Sequence, residues 1–141
     1  LALIDKKLLR LKGQTAIEAG DLMSSDGRLM HVKLRKSSSV MSHVTAQAIA
    51  STELLRSDSA ARAQAISMLK LLTPAPPNLQ TLINHFTSFD TQPTVTVEIV
   101  IAGEWPGGIP TIGQIPLLTR LNIGSWIRRM PVARRIVLVG T

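Results

Sequence analysis

Between positions 18 and 47 the chain carries Glu18, Asp21, the triplet His31-Val32-Lys33, His43 and Gln47. Glu18 and Asp21 are oxygen donors of the kind that hold Mg²⁺ or Mn²⁺ against a phosphate, and a lysine nearby can stabilise developing charge or position an attacking water. These are the parts of metal-dependent phosphodiester cleavage. His31 can act as a base or as a ligand for a softer metal. Gln47 follows His43 by one helical turn, so both can support such a site from one helix face. Each residue also has a plainer reading. Lys33 can be a solvated strand residue, His43 can cap or pack within a helix interface, and Gln47 can bond the strand backbone and nothing more. No Asp-His-Ser spacing argues for a hydrolytic triad.

The elements that must position these residues follow from turn chemistry and periodicity. Residues 1–11 are Leu- and Ile-rich and end at Lys12-Gly13-Gln14, a strand and a turn; residues 15–23 form a second extended segment. Ser24-Ser25-Asp26-Gly27 turns the chain into a third strand from Arg28 to Lys36. There Met30, Val32 and Leu34 point one way, and Leu29, His31, Lys33 and Arg35 the other. The expected core side is that of Val32, with His31 and Lys33 on the site side. Ser37, Ser38 and Ser39 can cap a helix over 40–56, and a second helix runs from Ser59 to Leu72 until Pro74 and Pro76-Pro77 end it. A short helix over 79–86, a strand over 94–102, a Gly/Pro loop anchored by Trp105, a helix over 117–130 and a strand over 135–139 complete the order. β-β-β-α-α-loop-β-α-β is a mixed α/β domain, one unit spanning residues 1–141.

Register decides whether the parts meet. A two-residue Asp26-Gly27 turn pairs Ser25 with Arg28 and turns Asp21 away from His31. A three-residue loop with Gly27 left-handed pairs Ser24 with Arg28, sets Asp21 opposite His31, and places Glu18 on the other face.

The segment Ala16-Ile17-Glu18-Ala19-Gly20-Asp21-Leu22, then His31-Val32-Lys33, Ser37-Ser38, Ser42-His43, Gln47 and Glu53-Leu54-Leu55, resembles a sporadically distributed family of uncharacterised bacterial proteins. The likeness is good over residues 1–60 and loose in the C-terminal third. It implies that the chain is the C-terminal part of a longer protein, with an upstream portion as partner. Separately, Asp21 before a hairpin, Lys33 on its second strand and Gln47 on the next helix are similar to the PD-(D/E)xK restriction-endonuclease-like superfamily. That resemblance implies catalytic roles for Asp21, Lys33 and Gln47, with His31 and His43 beside them and Mg²⁺ or Mn²⁺ on Asp21 and Glu18. His31 stands where the superfamily has its second acid. The implied function is a nuclease, in a bacterial defence or mobile-element setting. A catalytically inactive nucleic-acid-binding or assembly domain is the alternative.

Composition bounds these readings. A chain of 141 residues with 45% hydrophobic content folds as one domain. With only 3% aromatic residues, its core must be aliphatic. The absence of cysteine excludes disulfides, thiolate metal sites and cysteine nucleophiles, and fits a cytoplasmic protein. No apolar run reaches the length of a membrane span. A net charge of +7 suits a polyanionic partner, for which Arg35, Lys36, Arg128, Arg129, Arg134 and Arg135 are the candidate phosphate contacts.

Overall fold

A computed structural model describes residues 1–4, 8–9, 17–35, 38–91, 95–130 and 132–140. Lys36 and Ser37 fall outside the described residues, as does the turn expected at Lys12-Gly13-Gln14.

Six helical and extended segments after the hairpin appear in the expected order. Helix α1 spans Ser38–Ser57 and α2 spans Ser59–Lys70. Between them Asp58 caps α2, its carboxylate accepting from Ala60 N at 2.7 Å and Ala61 N at 3.2 Å. Such a cap stabilises a helix by about 1 kcal/mol. Helix α3 spans Leu79–Thr87, and its inward Leu82 and Phe86 are one turn apart. Helix α4 spans Leu117–Arg129, with Thr119, Ile123 and Trp126 inward. Strands β6 (Thr96–Gly103) and β7 (Ala133–Gly140) are the long extended elements of the second half.

The N-terminal strands are shorter than their composition predicts. Residues 1–11 yield only β1 (Ala2–Leu3) and β2 (Leu8–Leu9) among the described residues. The segment 15–23 is broken into β3 (Ile17–Glu18) and β4 (Leu22–Met23). Strand β5 runs from Arg28 to Leu34. The main sheet has the order β1-β4-β5-β6-β7, antiparallel from β1 to β5 and parallel from β5 to β7, while β2 and β3 form a separate pair.

All four helices lie on one side of this sheet. Register places Ala2, Met23, Leu29 and Val97 across one row, with His31, Ile99 and Ile136 on the same side two residues further on. Ala2, Met23 and Leu29 pack with Leu55, Leu69, Leu82 and Phe86. Val97, Ile99 and Ile101 pack with Met41, Val44, Ala48, Ile123 and Trp126. The expected orientation of β5 is therefore inverted. Leu29 and His31 face the core, and the Met30-Val32-Leu34 side faces away from the helices, with Leu34 58% exposed. Alternation reports that two faces differ, whereas the landing of the helices decides which is buried.

A candidate phosphodiester cleft where two strands part

The hairpin turn sets the site's register. Leu22 pairs with Met30 and Met23 with Leu29, Ser24 N donates to Arg28 O at 3.0 Å, and Gly27 sits at φ 83°. This is the three-residue loop. Ser24 and Asp26 hydrogen-bond across it, and Arg28 Nε closes on Asp26 at 2.9 Å. The Ser24 hydroxyl and the Arg28 guanidinium hold the Asp26 carboxyl below its usual range.

The ladder stops at Leu22. Asp21 N donates to Met30 O at 2.8 Å, the residue already opposite Leu22, and Asp21 O accepts from Ile4 N at 2.8 Å. The Asp21 carboxylate then reaches Val32 N at 2.5 Å. A side-chain oxygen thus takes the place that a main-chain carbonyl would have held had β4 continued. Asp21 consequently lies along the edge of β5 and does not form a ladder pair with His31. Gly20 makes this departure possible, because a Cβ there would stand 2.7 Å from Leu29 Cδ1. Beyond the parting point, among the described residues, β5 runs on to Leu34 without a neighbour on its β4 side.

Glu18 is not on the main sheet. It pairs with Leu8 in the separate ladder, and its Oε2 accepts from Gln47 Nε2 at 2.9 Å. Its expected placement across the sheet from His31 is corrected: α1 covers the His31 side, and Glu18 is joined to α1. The break at residues 19–21 lifts β3 out of the sheet plane, which a continuous strand over 15–23 would have forbidden.

His31 is buried at 1% exposure, with its Nε2 3.2 Å from Ser51 Oγ. Burial, and then the nearby Lys33 charge, push its pKa down to about 4, so the ring is neutral at pH 7. Ser51 follows Gln47 by one turn. The Ser51–His31 contact sets this part of α1 against β5. Lys33 is half-buried, and His43 is exposed on α1.

Asp21 is thus tied to β5 through Val32 N–H and Glu18 to α1 through Gln47, while His31 lies in the core against Ser51 and His43 is exposed. Among the described residues no three His, Cys, Asp or Glu side chains cluster as a metal centre.

The arginines divide into two groups. Arg35 donates to Glu104 O at 3.1 Å and Gln114 O at 3.3 Å, and its guanidinium lies 5.1 Å from the Trp105 ring centre. It straps the loop after β6 to the end of β5. Arg128 and Arg129 are exposed in the last turn of α4, and Arg134 donates to Met130 O at 3.1 Å. Arg134 and Arg135 pair with Val97 and Glu98, at the opposite end of the parallel strands from Lys33.

Sequence reasoning passed over three residues. Ser51 satisfies His31. Trp126 is fully buried with its indole N–H unpaired, and Glu98 is 2% exposed with Oε1 only within 3.7 Å of Arg135 Nη1. The signal for Glu98 was an acid in mid-strand among β-branched residues; for Ser51, its spacing of one turn from Gln47.

The fold is that of an α/β protein with a mixed five-stranded sheet and helices on one side. The chain matches a family of unknown function, DUF6119, over residues 1–134, and it belongs to that family. No curated protein and no solved structure matches it. Among the described residues no helix is long and apolar enough to cross a membrane.

Proposed function

We propose that the cleft at the end of β5 is a phosphodiester site of restriction-endonuclease-like type and that the domain acts on nucleic acid. The observation that supports this most is the parting of β4 from β5 at Asp21, which leaves Lys33 on a stretch of β5 that, among the described residues, pairs with β6 alone. The Asp21 carboxylate reaches this stretch at Val32 N–H, and the Glu18–Gln47 pair is carried by α1, which packs on β5. An antiparallel hairpin followed by a helical crossover to a parallel strand is also the order of the PD-(D/E)xK core. In this reading Asp21 and Glu18 would hold Mg²⁺ or Mn²⁺, which supplies Lewis-acid polarisation of the phosphate. Lys33 places its ammonium beside the developing charge, and Gln47 orients Glu18. His31 is a positioning residue that acts through Ser51, because a buried neutral imidazole is a poor partner for an oxygen-seeking cation. Net positive charge raises the local concentration of the polyanion.

Supercoiled plasmid and labelled single-stranded RNA, each incubated with Mg²⁺ or Mn²⁺, test the reading. Lys33→Ala should lower cleavage at least a hundredfold, and equal nicking by the variant and the parent chain removes Lys33 from the mechanism. A second reading is a catalytically inactive nucleic-acid-binding or assembly domain. It is favoured by the Asp21 oxygen already engaged by Val32 N–H, and it predicts salt-sensitive binding without cleavage under either metal.

A further inference from the structure

From Trp105 to the last residue the chain has five arginines and neither Asp nor Glu. The same stretch carries the exposed apolar residues Leu117, Leu121 and Ile127 of α4. Cationic and apolar surface are therefore interleaved at the corner where α4 meets β7. A cleft of about 410 Å³ opens there, with Trp126 and Ile136 in its wall and Arg134 and Arg135 at its side.

The second observation is the edge itself. Among the described residues β7 pairs only with β6. Thr96 N donates to Gly27 O and Ala102 O accepts from Arg35 N, so the even-numbered residues of β6 turn their backbone groups toward β5. Odd-numbered Val97, Ile99 and Ile101 therefore serve β7. The parallel register then leaves the N–H and C=O groups of Arg134, Ile136 and Leu138 directed outward. Folded proteins guard such edges with proline, bulges or inward charges. Ile136-Val137-Leu138 has none of these and keeps unbroken register with β6. Among the described residues a side chain engages this strand's backbone only near its end, where Trp105 Nε1 donates to Val139 O at 2.8 Å.

We propose that β7 accepts an added strand: an extended protein segment that alternates acidic and apolar residues pairs with the outward backbone of Arg134, Ile136 and Leu138. Its carboxylates meet Arg128, Arg129 and Arg134 on the helix side of the sheet, and its apolar side chains lie on the other face beside Val137 and Val139. Duplex nucleic acid would match the charge but would leave the outward amides and the α4 apolar residues unused. A second copy would match the edge but bring five more arginines to the corner. Only an acidic strand answers both features. The proposal is independent of the Lys33 cleft, which lies at the other end of the strands.

A fluorescein-labelled ten-residue peptide alternating Glu and Val, titrated into the full chain and followed by anisotropy, tests it. Comparison peptides carry Lys for Glu, or proline at two central positions. The expected result is saturable binding of the Glu–Val peptide alone, with slowed amide exchange at Arg134, Ile136 and Leu138. Affinity should fall at least tenfold in R128E/R129E, whose two positions are exposed at the end of α4. Ile136→Pro removes one outward N–H and should also abolish binding; the charge variant keeps the test decisive if the proline variant does not fold. No binding of the Glu–Val peptide overturns the proposal, as does equal binding of the proline-bearing one. So does tight duplex DNA binding lost in R128E/R129E without amide protection, which would assign the corner to nucleic acid. A concentration-dependent dimer that protects the same amides would assign the edge to a second copy.

Discussion

The two ends of the parallel strands treat their polar groups in opposite ways. At the β5 end almost every polar group has a partner within the chain: Asp21 with Val32 N–H, Glu18 with Gln47, His31 with Ser51, Arg35 with two loop carbonyls. At the β7 end, outward amides, the Trp126 indole and the exposed Arg128 and Arg129 find no acceptor among the described residues. Groups that hold one another keep fixed positions whatever they meet. A surface whose groups stand unanswered is shaped by what it meets. The difference teaches that charge alone is a poor guide: both ends are basic, yet at the β7 end Arg128, Arg129 and the outward amides lack the partners that Arg35 has, while Arg134 is held by Met130 O.

This contrast can be broken by substitution, and the largest effect should come from His31. Its pKa is depressed in the fold, so the unfolded chain binds the extra proton first. Stability is therefore full above about pH 6.5 and declines as pH falls toward 4, by up to about 3 kcal/mol. Urea titrations between pH 4 and 7 should show this slope in the parent chain and a shallower one in His31→Gln; parallel slopes would mean that His31 is not held neutral. Next comes Gly20→Ala, which drives a methyl into buried Leu29 and should cost about 2 kcal/mol in denaturant midpoint analysis. An unchanged midpoint would show that β4 can leave the sheet without that close approach.

Asp21 separates structural from chemical work. Asp21→Ala strands Val32 N–H and should lose about 1–2 kcal/mol, whereas Asp21→Asn keeps an acceptor and should lose less than half as much. Cleavage, if Asp21 holds the metal, should vanish in both. Retained cleavage in the stable Asn variant would leave Asp21 a purely structural residue. The smallest effect belongs to the corner: R128E/R129E should move thermal stability by no more than about 0.5 kcal/mol. A larger loss would mean that these arginines are part of the fold and not of an open surface.

Much of this architecture could be read from residue patterns, for reasons that are local. The Ser-Ser-Asp-Gly turn, the Asp58 cap and the Thr-Val-Glu-Ile-Val-Ile alternation each act within a few residues, and the three-residue loop register follows from Gly27 accepting a left-handed backbone. What escaped was tertiary. Met30-Val32-Leu34 looks like a core stripe, but the helices land on the side of Leu29 and His31. The break at Ala19–Asp21 depends on Gly20 meeting Leu29 and on a carboxylate standing in for a backbone carbonyl, neither of which has a sequence period. Lys33, Asp21 and Gln47 stand out in the sequence because their types fit one chemistry. Glu98 was passed over because an acid inside a strand resembles any solvent-facing residue until its neighbours are known.

Glu98 also constrains whatever lies over the side of the sheet that no described helix covers. Its Oε1 is buried without a hydrogen bond amid Met30, Val32 and Val100, and its nearest cation is a mostly exposed arginine at 3.7 Å. That oxygen is already shut away from water, so a layer that pushed Arg135 aside would remove its nearest cation at a cost of several kcal/mol. That side of the sheet thus carries its own password: whatever meets it must leave Arg135 in place or bring a hydrogen-bond donor of its own to the level of Glu98.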